Sequence, residues 1–417
     1  MIRRWAVVLG IGAFACLVVA YAALSLHPKR VVPGSGVPVK HVTPARQLSN
    51  PKLKTIPEKS LPHISLSSSA QGLALGTLSL DEMIDLLGSK DNELTKKAAR
   101  KLEGMGSEAV PALIKRLSET LGKGSGFNKL RWWCVNALGS IKDKRATDVL
   151  VKCAVMSGDR HSRWRAIWAL NVIGDQRRVP LLKAYLRSKN KLERFNAATA
   201  LSTMDIDDGV KVIEEATKSS DMWVRWQAVS ALGRIKSPET LGLLVRCLKD
   251  PDGSIRQEAA MSLGRLKDIK AAPALVEALG DAKSGVRWRA ARSLGQLGAR
   301  EAIPALVKLL DDPDGSVRGQ TVIALGELGC KDRKVAKKVI KMLSDPDREV
   351  RSKVAVAISK ICSPDDVEAV SKALQGERDE RVRRKLERSL RALQSSGRRS
   401  SLLMIDDRSC SLMLRAA

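Results

Sequence analysis

The sequence predicts an all-α protein whose bulk is one right-handed α-solenoid, an α-α superhelix of about ten helix pairs. Three observations carry this reading. One arginine returns at Arg131, Arg163, Arg194, Arg225, Arg256, Arg287, Arg318, Arg351 and Arg383, at intervals of 31–33 residues. Between these arginines the apolar residues fall at helical spacing. Aromatic residues make up only 3% of the 417 residues while hydrophobic residues reach 44%. The core must therefore be Leu, Ala, Val and Ile, a palette that suits close-packed helices better than stacked sheets. A constant period of this size marks units that bury each other's faces, so the array counts as one long domain rather than two or three globular ones.

Ahead of the array, Arg3 and Arg4 precede an apolar run from Trp5 to Leu26. Its 22 residues, at about 1.5 Å each, reach roughly 33 Å and just pass a bilayer core of about 30 Å. Residues 1–26 are expected to be a signal-anchor helix with residues 5–26 in a membrane, or a signal peptide ending near the A-x-A site Ala20-Tyr21-Ala22. Ala13-Phe14-Ala15 before Cys16 resembles a lipoprotein box but lacks Leu or Val three residues before the cysteine. Lys29, Arg30, Lys40 and Arg46 follow the run, so the positive-inside count is nearly balanced. A very short tail with two arginines stays inside, which leaves the rest of the chain outside the cytoplasm. Residues 27–78 hold Pro28, Pro33, Pro38, Pro44, Pro51, Pro57 and Pro62 among Ser, Gly and Lys, without apolar periodicity. That composition predicts an extended, disordered spacer.

The periodic part covers residues 79–394. Thr95 takes the arginine's place in a first, degenerate unit. Each unit reads as two helices. The first opens on proline at Pro111, Pro180, Pro273 and Pro304, where a missing N–H costs nothing. Ile303, Leu306, Val307 and Leu310 line its apolar face. A turn such as Asp312-Pro313-Asp314-Gly315 follows, and Val317, Thr321, Leu325 and Leu328 share one face of the second helix. Gly139, Gly233, Gly264, Gly295 and Gly326 are expected to let neighbouring helices approach closely. Residues 395–417 leave the pattern and are expected to form a flexible tail.

The shared unit, P-A-L-x-x-L-x-D-x-D-x-x-V-R-x-x-A-x-x-A-L-G-x-L-G, stands nearly complete in "AIPALVKLLDDPDGSVRGQTVIALGELG" at 302–329 and "AAPALVEALGDAKSGVRWRAARSLGQLG" at 271–298. It resembles the short HEAT-like repeats of the phycobiliprotein-lyase type over about residues 79–394. The resemblance implies a HEAT-like solenoid and no single activity, because such repeats serve many unrelated roles.

Asp91, Asp159, Asp221, Asp252, Asp314, Asp347 and Asp379 stand four residues before the repeat arginine or Thr95, and Asn190 fills the same column. An acid there caps the second helix or pairs with an arginine of an adjoining unit. Calcium is disfavoured, since no bidentate Glu follows at the needed distance. The arginines, Arg163, Arg225, Arg256, Arg287, Arg318 and Arg351 among them, are expected to form hydrogen bonds between units. Immediately after the arginine come Trp132, Trp164, Phe195, Trp226 and Trp288, with Trp168 one turn beyond Trp164. Arg165 and Arg289 follow two of the tryptophans. In HEAT-like solenoids the second helix lines the concave face, so these eight residues are expected to form an aromatic and cationic ladder there. Trp and Arg dominate binding hot spots; the alternative is that each Trp only fills the groove between units.

The net charge is +28, which favours an anionic partner or surface. Residues 142–194 concentrate it, with fourteen Lys/Arg against five Asp/Glu. The seven cysteines form no C-x-x-C pair and give no support for an oxidising compartment. Catalysis finds no motif. The four histidines are His27, His41, His63 and His161. None is followed by the Glu that the His-Glu metal pairs of deoxyhypusine hydroxylases require. No Walker loop, G-x-S-x-G or zinc spacing occurs. We therefore expect no catalytic, metal or cofactor-binding residues and no small-molecule substrate. The expected function is a non-catalytic scaffold, membrane-tethered or exported, that binds a protein or an anionic polymer along its concave face. Two alternatives stay open. One is a cytoplasm-facing nucleic-acid binder, since HEAT-like DNA glycosylases use Trp, Arg and Asp on a basic concave face; an export segment disfavours it. The other is a bilin-lyase-like enzyme subunit.

Overall fold

The computed structural model describes residues 78–395. The anchor or signal segment expected over 1–26 lies outside the described residues. So do the spacer over 27–78 and the tail over 395–417, but for positions 78 and 395. Among the described residues no helix is long and apolar enough to cross a membrane, and none of them forms a strand.

Twenty helices alternate along the described chain. Unit one pairs α1 (Leu80–Asp85) with α2 (Asn92–Met105), and unit two pairs α3 (Val110–Thr120) with α4 (Asn128–Ile141). Unit three holds α5 (Thr147–Met156) and α6 (Arg160–Ile173); unit four holds α7 (Arg178–Tyr185) and α8 (Lys191–Ser202). Unit five follows with α9 (Val210–Thr217) and α10 (Met222–Leu232), then unit six with α11 (Pro238–Cys247) and α12 (Gly253–Leu266). Units seven and eight are α13 (Ala272–Ala278) with α14 (Ser284–Leu297), and α15 (Ile303–Lys308) with α16 (Gly315–Glu327). Unit nine joins α17 (Arg333–Lys341) to α18 (Arg348–Ile361), and unit ten joins α19 (Val367–Gly376) to α20 (380–395).

Local chemistry sets the boundaries. Asp159, Asp221, Asp252, Asp314, Asp347 and Asp379 each accept first-turn N–H groups of a second helix at 2.6–3.3 Å, and Asn190 does so at 2.9 Å. Such a cap satisfies donors that the helix itself cannot, worth about 1 kcal/mol. Pro111, Pro238, Pro273 and Pro304 sit in the first two positions of α3, α11, α13 and α15.

Second helices of successive units pack extensively: α4 on α6, α10 on α12, α12 on α14, α14 on α16 and α16 on α18. Successive first helices touch sparsely. The array therefore curves with the second helices on its inner side. Gly233 shows why they come so close. A Cβ there would lie 2.5 Å from Ser262 Cβ and 2.9 Å from Ser262 Cα.

The repeat arginine joins one unit to the next. Arg256 Nη1 donates to the carbonyls of Asp250 and Pro251 in its own turn, at 2.8 and 3.2 Å. Its Nε and Nη2 then fork onto the Asp281 carboxylate of the following unit, at 2.6 and 2.9 Å. Arg225–Asp250, Arg287–Asp312, Arg318–Asp345 and Arg351–Glu377 repeat this staple, with ion-pair distances of 2.7–3.0 Å. The pairing acid stands six residues before each repeat arginine, two before the cap, so the capping Asp column does not supply it. In the earlier units the same position is Ser89, Ser125, Ser157, Ser188 and Ser219. Arg163 and Arg194 there keep only the carbonyl contacts, 2.8 Å to Ser157 and 2.7 Å to Ser188.

The ladder breaks at α8. Its neighbour α6 scarcely touches it; α8 rests chiefly against α5, α7 and α9, and more lightly on α10. Asn196 Nδ2 donates to the Val155 carbonyl of α5 at 2.8 Å. Every residue from Phe195 to Ser202 is buried. Phe195 and Ala198 belong to the core of the later units, Ala197, Ala200 and Leu201 to that of the earlier ones. Small side chains on all sides of α8 allow it to be packed from every direction.

Two outcomes test this account. Gly233→Ala forces α10 from α12 and is expected to cost about 2 kcal/mol in denaturant unfolding. The hydrogen bond from Arg256 holds the Asp281 carboxyl below the usual carboxylate range. Asp281 therefore stabilises the fold fully above about pH 4, and that contribution is lost as pH falls through the lowered folded value. Asp281→Asn is expected to cost about 1.5 kcal/mol at neutral pH and to flatten the fall in melting temperature on acidification.

Candidate binding surface

Trp132, Trp164, Trp226 and Trp288 directly follow the repeat arginines on the second helices, so they lie on the inner layer. They do not form one continuous ladder. On α4 and α6, the Arg165 guanidinium stacks 3.8 Å over Trp168 and 5.5 Å from Trp132. Arg165 also donates to Asn136 Oδ1, while its buried Nε has no hydrogen-bond partner. Burial lowers its pKa, opposed by Glu103. Trp132 meets Trp133 edge to face at 4.9 Å. Trp168 lies against Gly139, where a Cβ would come within 2.6 Å of its ring.

Trp164 belongs to a second cluster. The Arg234 guanidinium, just past α10, stands 5.4 Å from its ring. Burial, aided by repulsion from Arg265, pushes Arg234 down to about 10. Nearby, Arg265 pairs with the buried Glu258 at 2.8 Å. Units three and five thus touch directly, because α8 has left the layer between them. Trp226 meets Trp223 at 6.3 Å, and Arg160 of α6 lies 5.4 Å from the Trp223 ring. Further along, Arg289 stacks 3.9 Å over Trp288 and donates to Met261 Sδ at 3.0 Å.

A profile of HEAT repeats matches residues 119–202, 181–258, 242–326 and 303–391. The chain belongs to the HEAT-repeat proteins. Solved structures that match the chain include the complex of CpcE and CpcF of phycocyanin lyase from Nostoc. It is 23% identical, covers 52% of this chain and 94% of that one, and has a TM-score of 0.34. A Kap121p mutant is 14% identical over 71% of this chain and 38% of its own length, with a TM-score of 0.56. An engineered protein is 24% identical over 76% of this chain and 98% of that one, with a TM-score of 0.40. No curated protein matches the chain.

Within the HEAT array, Trp132, Trp164, Arg165, Trp168, Trp226, Trp288 and Arg289 are half-buried. Phe195 departs from the expected ladder: at 5% exposure it is a core residue, carried inward by α8. Trp223, at 55% exposure, was outside that ladder although "MWVRW" places it one turn before Trp226. Burial pushes the Cys134 and Cys153 thiols up to about 12, which leaves neither as a nucleophile at neutral pH. Among the described residues no group of His, Cys, Asp and Glu is placed to hold a metal ion.

Exposure separates mortar from contact. Trp164→Ala removes the ring between units three and five and is expected to cost about 3 kcal/mol in denaturant unfolding. Trp223→Ala is expected to cost less than about 0.5 kcal/mol.

Proposed function

We propose that this chain is a non-catalytic HEAT-repeat scaffold that holds a protein partner on its inner layer, kept at or beyond a membrane by residues 1–26. The observation that carries the reading is the half-buried pairing of Trp and Arg on second helices, Arg165 with Trp132 and Trp168, and Arg289 with Trp288. Packing fixes the buried edge of each ring. Its open edge then meets a partner with little conformational entropy left to lose, the property that makes such residues hot spots. HEAT-repeat solenoids generally bind protein partners. The net charge of +28 supports an acidic partner through faster encounter and selection against basic proteins. The apolar run at Trp5–Leu26 and the two arginines before it support placing the array outside the cytoplasm.

Two measurements test the proposal. A periplasm-dependent enzyme fused after residue 417 is expected to be active in bacteria; activity only from a cytoplasm-dependent reporter rejects the placement. Partner recovery, measured at a temperature where the variant stays folded, is expected to fall about tenfold for Arg289→Glu. Equal recovery by wild type and Arg165→Glu/Arg289→Glu rejects the inner layer as the binding face.

A further inference from the structure

The rim where first helices turn into second helices differs sharply along the array. Two residues before the repeat arginine, units three to five carry His161, Leu192 and Trp223, all exposed. The next three units carry Ser254, Gly285 and Ser316 there. Leu192 is 50% and Trp223 55% exposed, and Met156 at the end of α5 is 47% exposed. Among the described residues only five large apolar side chains are so exposed, and three of them lie in this stretch. Arg160 stands over the Trp223 ring at 5.4 Å, which brings the starts of α6 and α10 together. Lys189 and Lys191 are exposed beside Leu192.

The same rim lacks the staple acids, and its own carboxylates Asp159, Asp221 and Glu193 are taken up as helix caps or by the Ser188 hydroxyl. Five later arginines place Nε and Nη2 on a carboxylate of the next unit. Arg163 and Arg194 hold the identical Nη1 contacts to turn carbonyls, but Ser188 and Ser219 stand where the acids would be. No carboxylate among the described residues forms an ion pair with either guanidinium. A planar fork of this kind matches a carboxylate with two parallel hydrogen bonds, and the chain itself uses it that way at five sites.

We propose that this rim of units three to five docks an acidic polypeptide segment carrying aliphatic side chains. The carboxylates engage Arg160, Arg163 and Arg194, and the aliphatic groups pack on Leu192, Met156 and Trp223. Charge complementarity selects an anion. Leu192 and Met156 select a partner with aliphatic groups, since neither offers the flat face on which a nucleic-acid base stacks. The inference rests on the scaffold reading but uses a surface apart from the inner-layer Trp–Arg pairs.

The experiment measures binding of the full chain to a fluorescent synthetic peptide of Asp, Glu and Leu. Trp223→Ala and the double variant Arg163→Lys/Arg194→Lys are each expected to weaken binding about tenfold. Trp223→Ala should leave the melting temperature in place; the lysines keep the charge and lose the fork. Arg289→Glu, on the inner layer, is expected to change peptide affinity less than threefold, so failure of the inner-layer reading is scored separately. A control peptide with Ser in place of Leu is expected to bind about tenfold more weakly. Equal affinity for the two peptides, no effect of Trp223→Ala, or tighter Trp223-dependent binding to phosphatidylglycerol vesicles or single-stranded RNA overturns the proposal.

Discussion

A single guanidinium fork, repeated five times, holds the later units of this array together. Each fork closes its own turn through two carbonyls and grips a carboxylate of the next unit. The pairs are neither free in solvent nor sealed in a dry core, with side-chain exposures of 14–19% for the arginines and 5–12% for the acids. Partial burial shields them from salt without the full desolvation cost of a core ion pair. Second helices pack extensively on their neighbours, and a bidentate contact every 31–33 residues adds a directional link to that packing.

Replacing those acids by serine in the earlier units has two consequences. It removes one internal neutralising charge per unit, which helps explain why residues 142–194 carry fourteen cations against five anions. It also leaves both borders of unit four without a carboxylate staple. There α8 is buried from Phe195 to Ser202, and units three and five meet through Trp164 and Arg234, with Arg160 over the Trp223 ring at the rim. The basic surplus and the missing staples thus share one origin in the sequence, the change from acid to serine six residues before the arginine.

Much of this is legible in the sequence. The period named the solenoid, the Asp column marked the second-helix starts, and Gly233 marked a close approach. The serine-to-acid switch was equally open to inspection, because Ser219 and Asp250 stand in the same column; comparing the caps alone misses it by two positions. The retreat of α8 was not legible. Its KLERFNAATALS pattern fits a second helix like the others, and only the packing of three units decides that Phe195 turns inward. The grouping of tryptophans was hidden for the same reason. A column in sequence gives shared height on a helix, while contact between α6 and α10 depends on what has left the space between them.

Half-burial of the tryptophans follows from size. Small residues such as Gly139, Gly233 and Ala169 let second helices lie about 8–10 Å apart, a gap that an indole cannot enter whole. One edge must stay outside, and a neighbouring arginine covers part of it, as at Trp168 and Trp288. The same ring is therefore both mortar between units and surface for a partner. Loss of binding on changing Trp164 or Trp168 contains a loss of geometry, since each ring also sets how two units meet. Trp223 stands on the other side of that divide. Truncating it changes what a partner meets while leaving most of the packing between units in place, so it reports recognition more directly than the better-packed rings beside it.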